Sequence, residues 1–329
     1  MISDSKFYFM EHPQRKNQKP TAIIDKSFLH EVSELSHQER KDVWRAILDK
    51  YILVVPFILL EEILVNAINP GTVPKGHIQM MVTDVIQLRP FWMDDIVEYA
   101  FRELILGHPI TKLIGVPKDM QRMLLELNLI DPDVVNWAQG RKGDRKAVIK
   151  QWKNLQQIIS PPGGYRIVAG EKEFYQKIFG EFLNIVKNPH VKMEYLEVVL
   201  GERFRKRHPA SASEIEKAFK EYDDKNCSSF HVTRICLMLR LIYILAPIIR
   251  IQNASNQNLR PILNAGNQIN NFADEQYVAC ALLCDRLLTM DQEMKNVADI
   301  FHHAGVWPGQ AVFFDPQRPV AAQIQSVLT

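Results

Sequence analysis

The sequence predicts an α/β protein: a parallel sheet flanked by helices and interrupted by a large α-helical insertion. Three observations carry that expectation. Short, mostly apolar runs at 21–24 and 51–55 have the pattern of strands buried on both faces, and a helical periodicity follows each. The stretch from 71 to 225 shows helical stripes and no comparable run. Strand and helix patterns then alternate again after 270.

Residues 1–20 carry charges and no apolar segment of the kind a secretory signal needs, so the cytoplasm is the expected compartment. The run 21–24 ends at Asp25, and a strand there would deliver that carboxylate at its carboxyl end. Ser36 and Glu39 have capping-box spacing, and Trp44, Ile47, Leu48 and Tyr51 share one face of the helix they open. The run 51–55 stops at Pro56, where a strand would end, and Glu61 and Glu62 lie in the apolar helical stretch 57–65. Ile78, Met81, Val82, Val85 and Ile86 form one helical stripe, and Ser211 with Glu214 opens a helix containing Ile215 and Phe219. Turns are expected at 131–133 and 161–164. The apolar stretch 230–251 is broken by Arg234, Arg240 and Arg250, so it reads as a buried helix; a bilayer span needs about 20 residues nearly free of charge. Asp274 begins a helix with Tyr277, Val278, Ala281 and Leu282 inward, a strand follows at 287–289, and Asp291 lies just past it. Val297, Ile300, Phe301 and Ala304 share one face of the next helix, Gly305 suits its C-cap, and a last strand spans 311–314. The implied division is an N-terminal segment 1–20, a core formed from 21–70 and 226–329, and a helical insertion 71–225.

At 329 residues the chain holds about two domain-sized masses. The 47% hydrophobic content excludes a collagen-like or wholly disordered chain. Basic residues number 40 and acidic residues 38, so affinity for a polyanion must come from local clusters and not from the overall field. Four cysteines are too few for a disulfide scaffold. Cys236, Cys280 and Cys284 read as small buried hydrophobes, because no C-x₂-C pair exists for zinc. His302 and His303 are adjacent on a helix, where side chains diverge by about 100°, and read as surface residues.

Open parallel sheets bind ligands beyond the carboxyl ends of their strands. Three acids fall at such ends, Asp25, Glu62 or Glu61, and Asp291, with Asp274 at the start of the helix before the late strand. Carboxylates gathered in one cleft repel one another unless a cation neutralises them. Hard oxygen ligands suit Mg²⁺ or Mn²⁺, and such ions support in-line phosphodiester hydrolysis. Plainer roles exist for each residue. Asp25 also reads as a turn or cap residue, Asp274 as a helix cap, Glu61 as a solvated helix residue, Asp285 as solvent-facing and Asp299 as lying on the polar side of its helix.

The residues 23–27 (Ile-Ile-Asp-Lys-Ser), 55–63 (Val-Pro-Phe-Ile-Leu-Leu-Glu-Glu-Ile) and 274–291, the last with Leu-Leu-Thr-Met-Asp at its end, resemble the motifs of the PIN domain, a family of metal-dependent ribonucleases. The resemblance covers about 21–70 and 265–315. It implies that Asp25, Glu62, Asp274 and Asp291 are the catalytic, metal-binding acids for Mg²⁺ or Mn²⁺, with Ser27 and Thr289 as supporting polar groups toward substrate. Water would attack without a covalent nucleophile. Glu62 is the family-like choice over Glu61, standing six residues after Pro56 and before Ile63. About 200 residues separate Glu62 from Asp274, more than a compact member of the family needs. The resemblance further implies a toxin-like or phage-defence effector regulated by a protein partner.

Three basic clusters are candidates for tracking an RNA backbone: Arg15, Lys16 and Lys19; Arg141, Lys142, Arg145, Lys146 and Lys150, flanked by Trp137 and Trp152; and Arg203, Arg205, Lys206 and Arg207 with His208. Arg141, Lys142 and Arg145 are the proposed substrate contacts, and no membrane partner is expected. Two other readings stand beside the ribonuclease: an inactive PIN-like module that binds RNA or protein, and a flap-type DNA nuclease.

Overall fold

The computed structural model describes residues 19–68, 75–88, 90–108, 110, 140, 197–221, 232, 233, 235, 236, 239, 271–303, 305 and 307–328. The clusters at 15–16 and 141–150, Trp137, Trp152, the turns at 131–133 and 161–164, and the three arginines of the 230–251 stretch lie outside the described residues. Within that stretch Val232, Thr233, Ile235, Cys236 and Leu239 are helical and buried.

The chain is α/β, with a five-stranded parallel sheet flanked by helices. The strands are β1 (Thr21–Ile24), β2 (Ile52–Pro56), β3 (Phe91–Met93), β4 (Arg286–Thr289) and β5 (Gln310–Phe313), in the order β3-β2-β1-β4-β5. Every pairing is parallel. Ile23 stands opposite Val54 on one side and Leu287 on the other, which makes β1 the central strand. Its Ala22, Ile23 and Ile24 are fully buried, as an apolar run covered on both faces requires.

Between β1 and β2 run α1 (Lys26–Glu34) and α2 (His37–Lys50). The box at the start of α2 forms as expected: the Ser36 side chain accepts from the Glu39 amide, and the Ser36 amide donates back to Glu39 Oε2. Helices α3 (Phe57–Ile68) and α4 (Lys75–Gln87) connect β2 to β3, and α5 (Ile96–Leu106) follows. Further on come α6 (Glu202–Arg207), α7 (Ala212–Glu221) and α8 (Asn271–Ala281), then α9 (Gln292–His303) between β4 and β5, and finally α10 (Val320–Leu328). Gly305 adopts φ 69° and its amide bonds the His302 carbonyl, so it closes α9 as its position suggests.

Strand β3 corrects one expectation, since it lies within a stretch that reads as wholly helical. It is three residues long at the edge of the sheet, paired among the described residues with β2 alone, and Phe91 is 53% exposed. A strand so short shows no alternation to read. Helix α10 packs on α1 and α2, and Phe28, Trp44 and Phe314 form an aromatic core there, with the Phe28 and Phe314 rings 4.8 Å apart. Helix α8 packs on β1, β4, α3, α5 and α9. Cys236, Cys280 and Cys284 are buried free thiols; His302 and His303 are exposed. Among the described residues no helix is long and apolar enough to cross a membrane.

Candidate functional site

From β1 the chain builds the sheet outward to β2 and β3, and later returns to the other side of β1 with β4 and β5. The order therefore reverses between β1 and β4. Such a reversal leaves a crevice beyond the carboxyl ends of the two strands, because the following connections part in opposite directions. Asp25 follows β1 directly and Asp291 stands two residues past β4. Helix α8 leads back toward the start of β4, so its first turn, with Asp274, lies at the carboxyl end. Helix α3 begins where β2 ends, which puts Glu62 in its second turn near the same edge.

Local structure holds two of these acids by the same device. Asp25 is the N-cap of α1, its Oδ1 accepting from the Phe28 amide at 2.7 Å. Asp291 Oδ1 accepts from the amides of Glu293 and Met294, at 2.7 and 2.9 Å, at the start of α9. Thr289 joins them: its hydroxyl donates to Asp25 Oδ2 at 2.5 Å and accepts from the Asp291 amide at 2.9 Å. Thr289 is fully buried, and its hydroxyl acts on the aspartates. Ser27 is exposed in the first turn of α1.

The third and fourth acids are linked through α8. The Tyr277 hydroxyl, one turn beyond Asp274, donates to Glu62 Oε2 at 3.0 Å. Sequence reasoning assigns Tyr277 to the core alone. Its spacing of three from an acid on one helix face was the available signal. Glu293 is a second residue missed, one that adds negative charge beside Asp274.

The electrostatics follow from this crowding. Burial is the largest cause that pushes the Asp25 carboxyl from its ordinary 3.8 up to about 7, with Asp291 adding repulsion; the hydrogen bonds from Thr289 and Phe28 oppose the shift. Asp274 is held well above its ordinary value, first by burial and then by the charges of Asp291, Glu62, Asp25 and Glu293. Asp274 thus lies within electrostatic reach of the other three acids expected from the sequence, and Asp25 within reach of Asp291. The four are gathered loosely. Among the described residues, the one group of three His, Cys, Asp or Glu with ligand atoms all within 4.8 Å of one another is His30, Glu34 and His77. Mg²⁺ tolerates the looser arrangement, because it keeps several waters and takes only one or two carboxylates directly. An all-oxygen donor set with Asp25 and Asp274 buried and Glu62 and Asp291 partly exposed fits a hard divalent cation.

Three expectations need correction. Glu61 is buried, 1% exposed, because α3 is apolar on nearly every side and Leu59, Leu60 and Ile63 are buried with it. Asp285 does not face solvent freely: it accepts from the Thr21 amide at 2.7 Å and the Thr21 hydroxyl at 2.8 Å, clamping the start of β1 to that of β4. In the third basic cluster, Arg205 pairs with Glu197 and Glu216, Arg207 with Asp95 at 2.6 Å, and His208 stacks on Phe101 with Nε2 3.0 Å from Glu98. Arg207 and His208 dock α6 on α5 and Arg205 ties it to α7, so these three are engaged by the chain itself and are not free to track RNA. Lys19 of the first cluster bonds the Leu48 carbonyl. Asp299 pairs with Lys295 on α9, in keeping with its polar side.

A cavity of about 400 Å³ lies apart from the acids, between α2 and α4, with Trp44, Leu48, Asp84 and Leu88 in its wall. No protein-family model, no curated protein and no solved structure matches this chain.

Proposed function

We propose that this chain is a divalent-metal-dependent endoribonuclease of the PIN-like class, with water as the nucleophile toward an RNA phosphodiester. One observation carries the reading: acids from four separate stretches, Asp25, Glu62, Asp274 and Asp291, are near enough to raise the pKa of Asp274 together, at the point where the strand order reverses. Burying so much like charge is unfavourable, and such departures from ordinary ionisation cluster at functional sites.

Bound Mg²⁺ or Mn²⁺ would offset that charge, activate water and stabilise charge developing on the phosphate. The chain's own residues orient the site. Cap amides hold one oxygen each of Asp25 and Asp291, and the Thr289 hydroxyl links the Asp25 carboxylate to the Asp291 backbone amide. The Tyr277 hydroxyl aims Glu62, and Asp274 is buried one helical turn before Tyr277. Ser27, exposed two residues after Asp25, suits a contact with substrate. Arg141, Lys142 and Arg145 are proposed to track the phosphates. Arg205, Arg207 and His208 are less suited, being held by acids of the chain itself. A toxin-like or phage-defence role under a protein partner's control belongs to this proposal through the family resemblance.

The test is incubation of the full chain with labelled single-stranded RNA in Mn²⁺ or Mg²⁺, with and without chelator, beside Asp25→Asn and Asp291→Asn. Cleavage should require the metal and vanish in both variants. Cleavage that survives both substitutions rejects the site, and preference for branched DNA over RNA rejects the substrate.

A further inference from the structure

Helices α1 and α4 meet at a second cluster of ligating side chains, unlike the first in chemistry. Glu34 Oε1 lies 3.7 Å from His30 Nδ1, one turn away on α1, and 3.6 Å from His77 Nδ1 in the first turn of α4. The two imidazoles approach edge to face with centroids 6.0 Å apart. All three ligand atoms fall within 4.8 Å of one another. His77 Nδ1 is buried and makes no hydrogen bond, since 3.6 Å from the carboxylate is too long for one. A buried imidazole nitrogen without a partner is unfavourable, and a cation would satisfy it.

We propose that His30, Glu34 and His77 form a second cation site, of Zn²⁺-like transition-metal type, that ties α1 to α4. Two imidazoles and a carboxylate are the donors such ions prefer, whereas Mg²⁺ takes oxygen. Tetrahedral bonds of about 2.0–2.1 Å place ligand atoms roughly 3.4 Å apart. The two contacts to Glu34 are already near that spacing, and small rotations of the half-exposed rings would bring the third. Glu34 is 44% exposed, which leaves the fourth position open to water. His30 and Glu34 stand five and nine residues past Asp25, roughly 7 and 13 Å along the helix axis, so this site is separate from the acid cluster. A cation there would brace the helix whose N-cap is Asp25.

Calorimetric titration of Zn²⁺ into the full chain tests this, with His77→Ala, Glu34→Gln and Asp291→Asn alongside and circular dichroism to verify folding. All three substituted side chains are partly exposed, so the variants should fold. The wild type and Asp291→Asn should each bind one Zn²⁺ at this site and gain thermal stability from it. His77→Ala should lose that site. Glu34→Gln should bind at least about tenfold more weakly, the low end of what loss of even an outer-shell partner costs. Absence of Zn²⁺ binding by the wild type overturns the proposal, as does equal binding by His77→Ala. Loss confined to Asp291→Asn assigns the ion to the acid cluster and overturns it too. RNA cleavage is not the readout, so failure here leaves the ribonuclease reading untouched.

Discussion

Replacing Asp25 by Asn should make the metal-free protein more stable at alkaline pH, although the residue caps a helix. The carboxyl is buried and titrates near 7 in place of 3.8. Because the folded-state pKa lies above the unfolded one, its stabilising contribution is complete below about pH 4 and is lost as pH rises through about 7. A shift of about three units corresponds to about 4 kcal/mol in full, of which roughly 2.5 kcal/mol falls between pH 5 and pH 8. Asn keeps the acceptor for the Phe28 amide, and the Thr289 hydroxyl can turn from donating to accepting, so the fold retains its bonds while the ionisation disappears. Urea unfolding in chelator at both pH values reads the difference. The wild type should lose about 2.5 kcal/mol more than Asp25→Asn between pH 5 and pH 8, and Mn²⁺ should narrow the gap by restoring the wild type at pH 8. Parallel pH dependence in the two proteins would refute the argument that Asp25 is strained by burial, and with it the main electrostatic reason for a cation.

Thr289→Val keeps the shape but removes both bonds of the link between Asp25 and Asp291, and should destabilise by about 1–3 kcal/mol in urea, with Thr289→Ser recovering most of it. Glu103 is fully buried in α5 and accepts from the amides of Ile110, Val232 and Thr233, so Glu103→Ala should cost about 3 kcal/mol or more by the same measurement; a loss under about 1 kcal/mol would mean those amides find other partners. Gly309 admits no side chain: a Cβ there would stand 2.4 Å from the Trp307 ring and 2.5 Å from the Asp285 carbonyl oxygen. Gly309→Ala should therefore cost about 1–3 kcal/mol, and displacement of Trp307 from the Cys284 carbonyl should appear in its fluorescence.

The strands β1, β2, β4 and β5 are legible in the sequence to within a residue, because a central parallel strand must be apolar on both faces and its stops, Asp25, Pro56 and Asp291, break the run visibly. The edge strand β3 has no such signature. The helix α10 is also unassigned from sequence, although Val320 and Ile324 are its buried, one-turn-spaced positions. What stays hidden otherwise is long-range pairing. The Tyr277 bond to Glu62 spans 215 residues and the Arg207 pair with Asp95 spans 112, so no local pattern distinguishes a solvated arginine from a docked one. Local reasoning also sets up a false choice at the aspartates. A helix cap and a metal ligand look like competing explanations of Asp25 and Asp291, yet a carboxylate has two oxygens. The cap amides engage Oδ1 of each residue. The Asp291 side chain makes no other hydrogen bond among the described residues, and Asp25 Oδ2 takes the Thr289 hydroxyl. The cap is therefore what fixes the direction of the second oxygen, and removing it would disturb the proposed cation site before any ligand was lost.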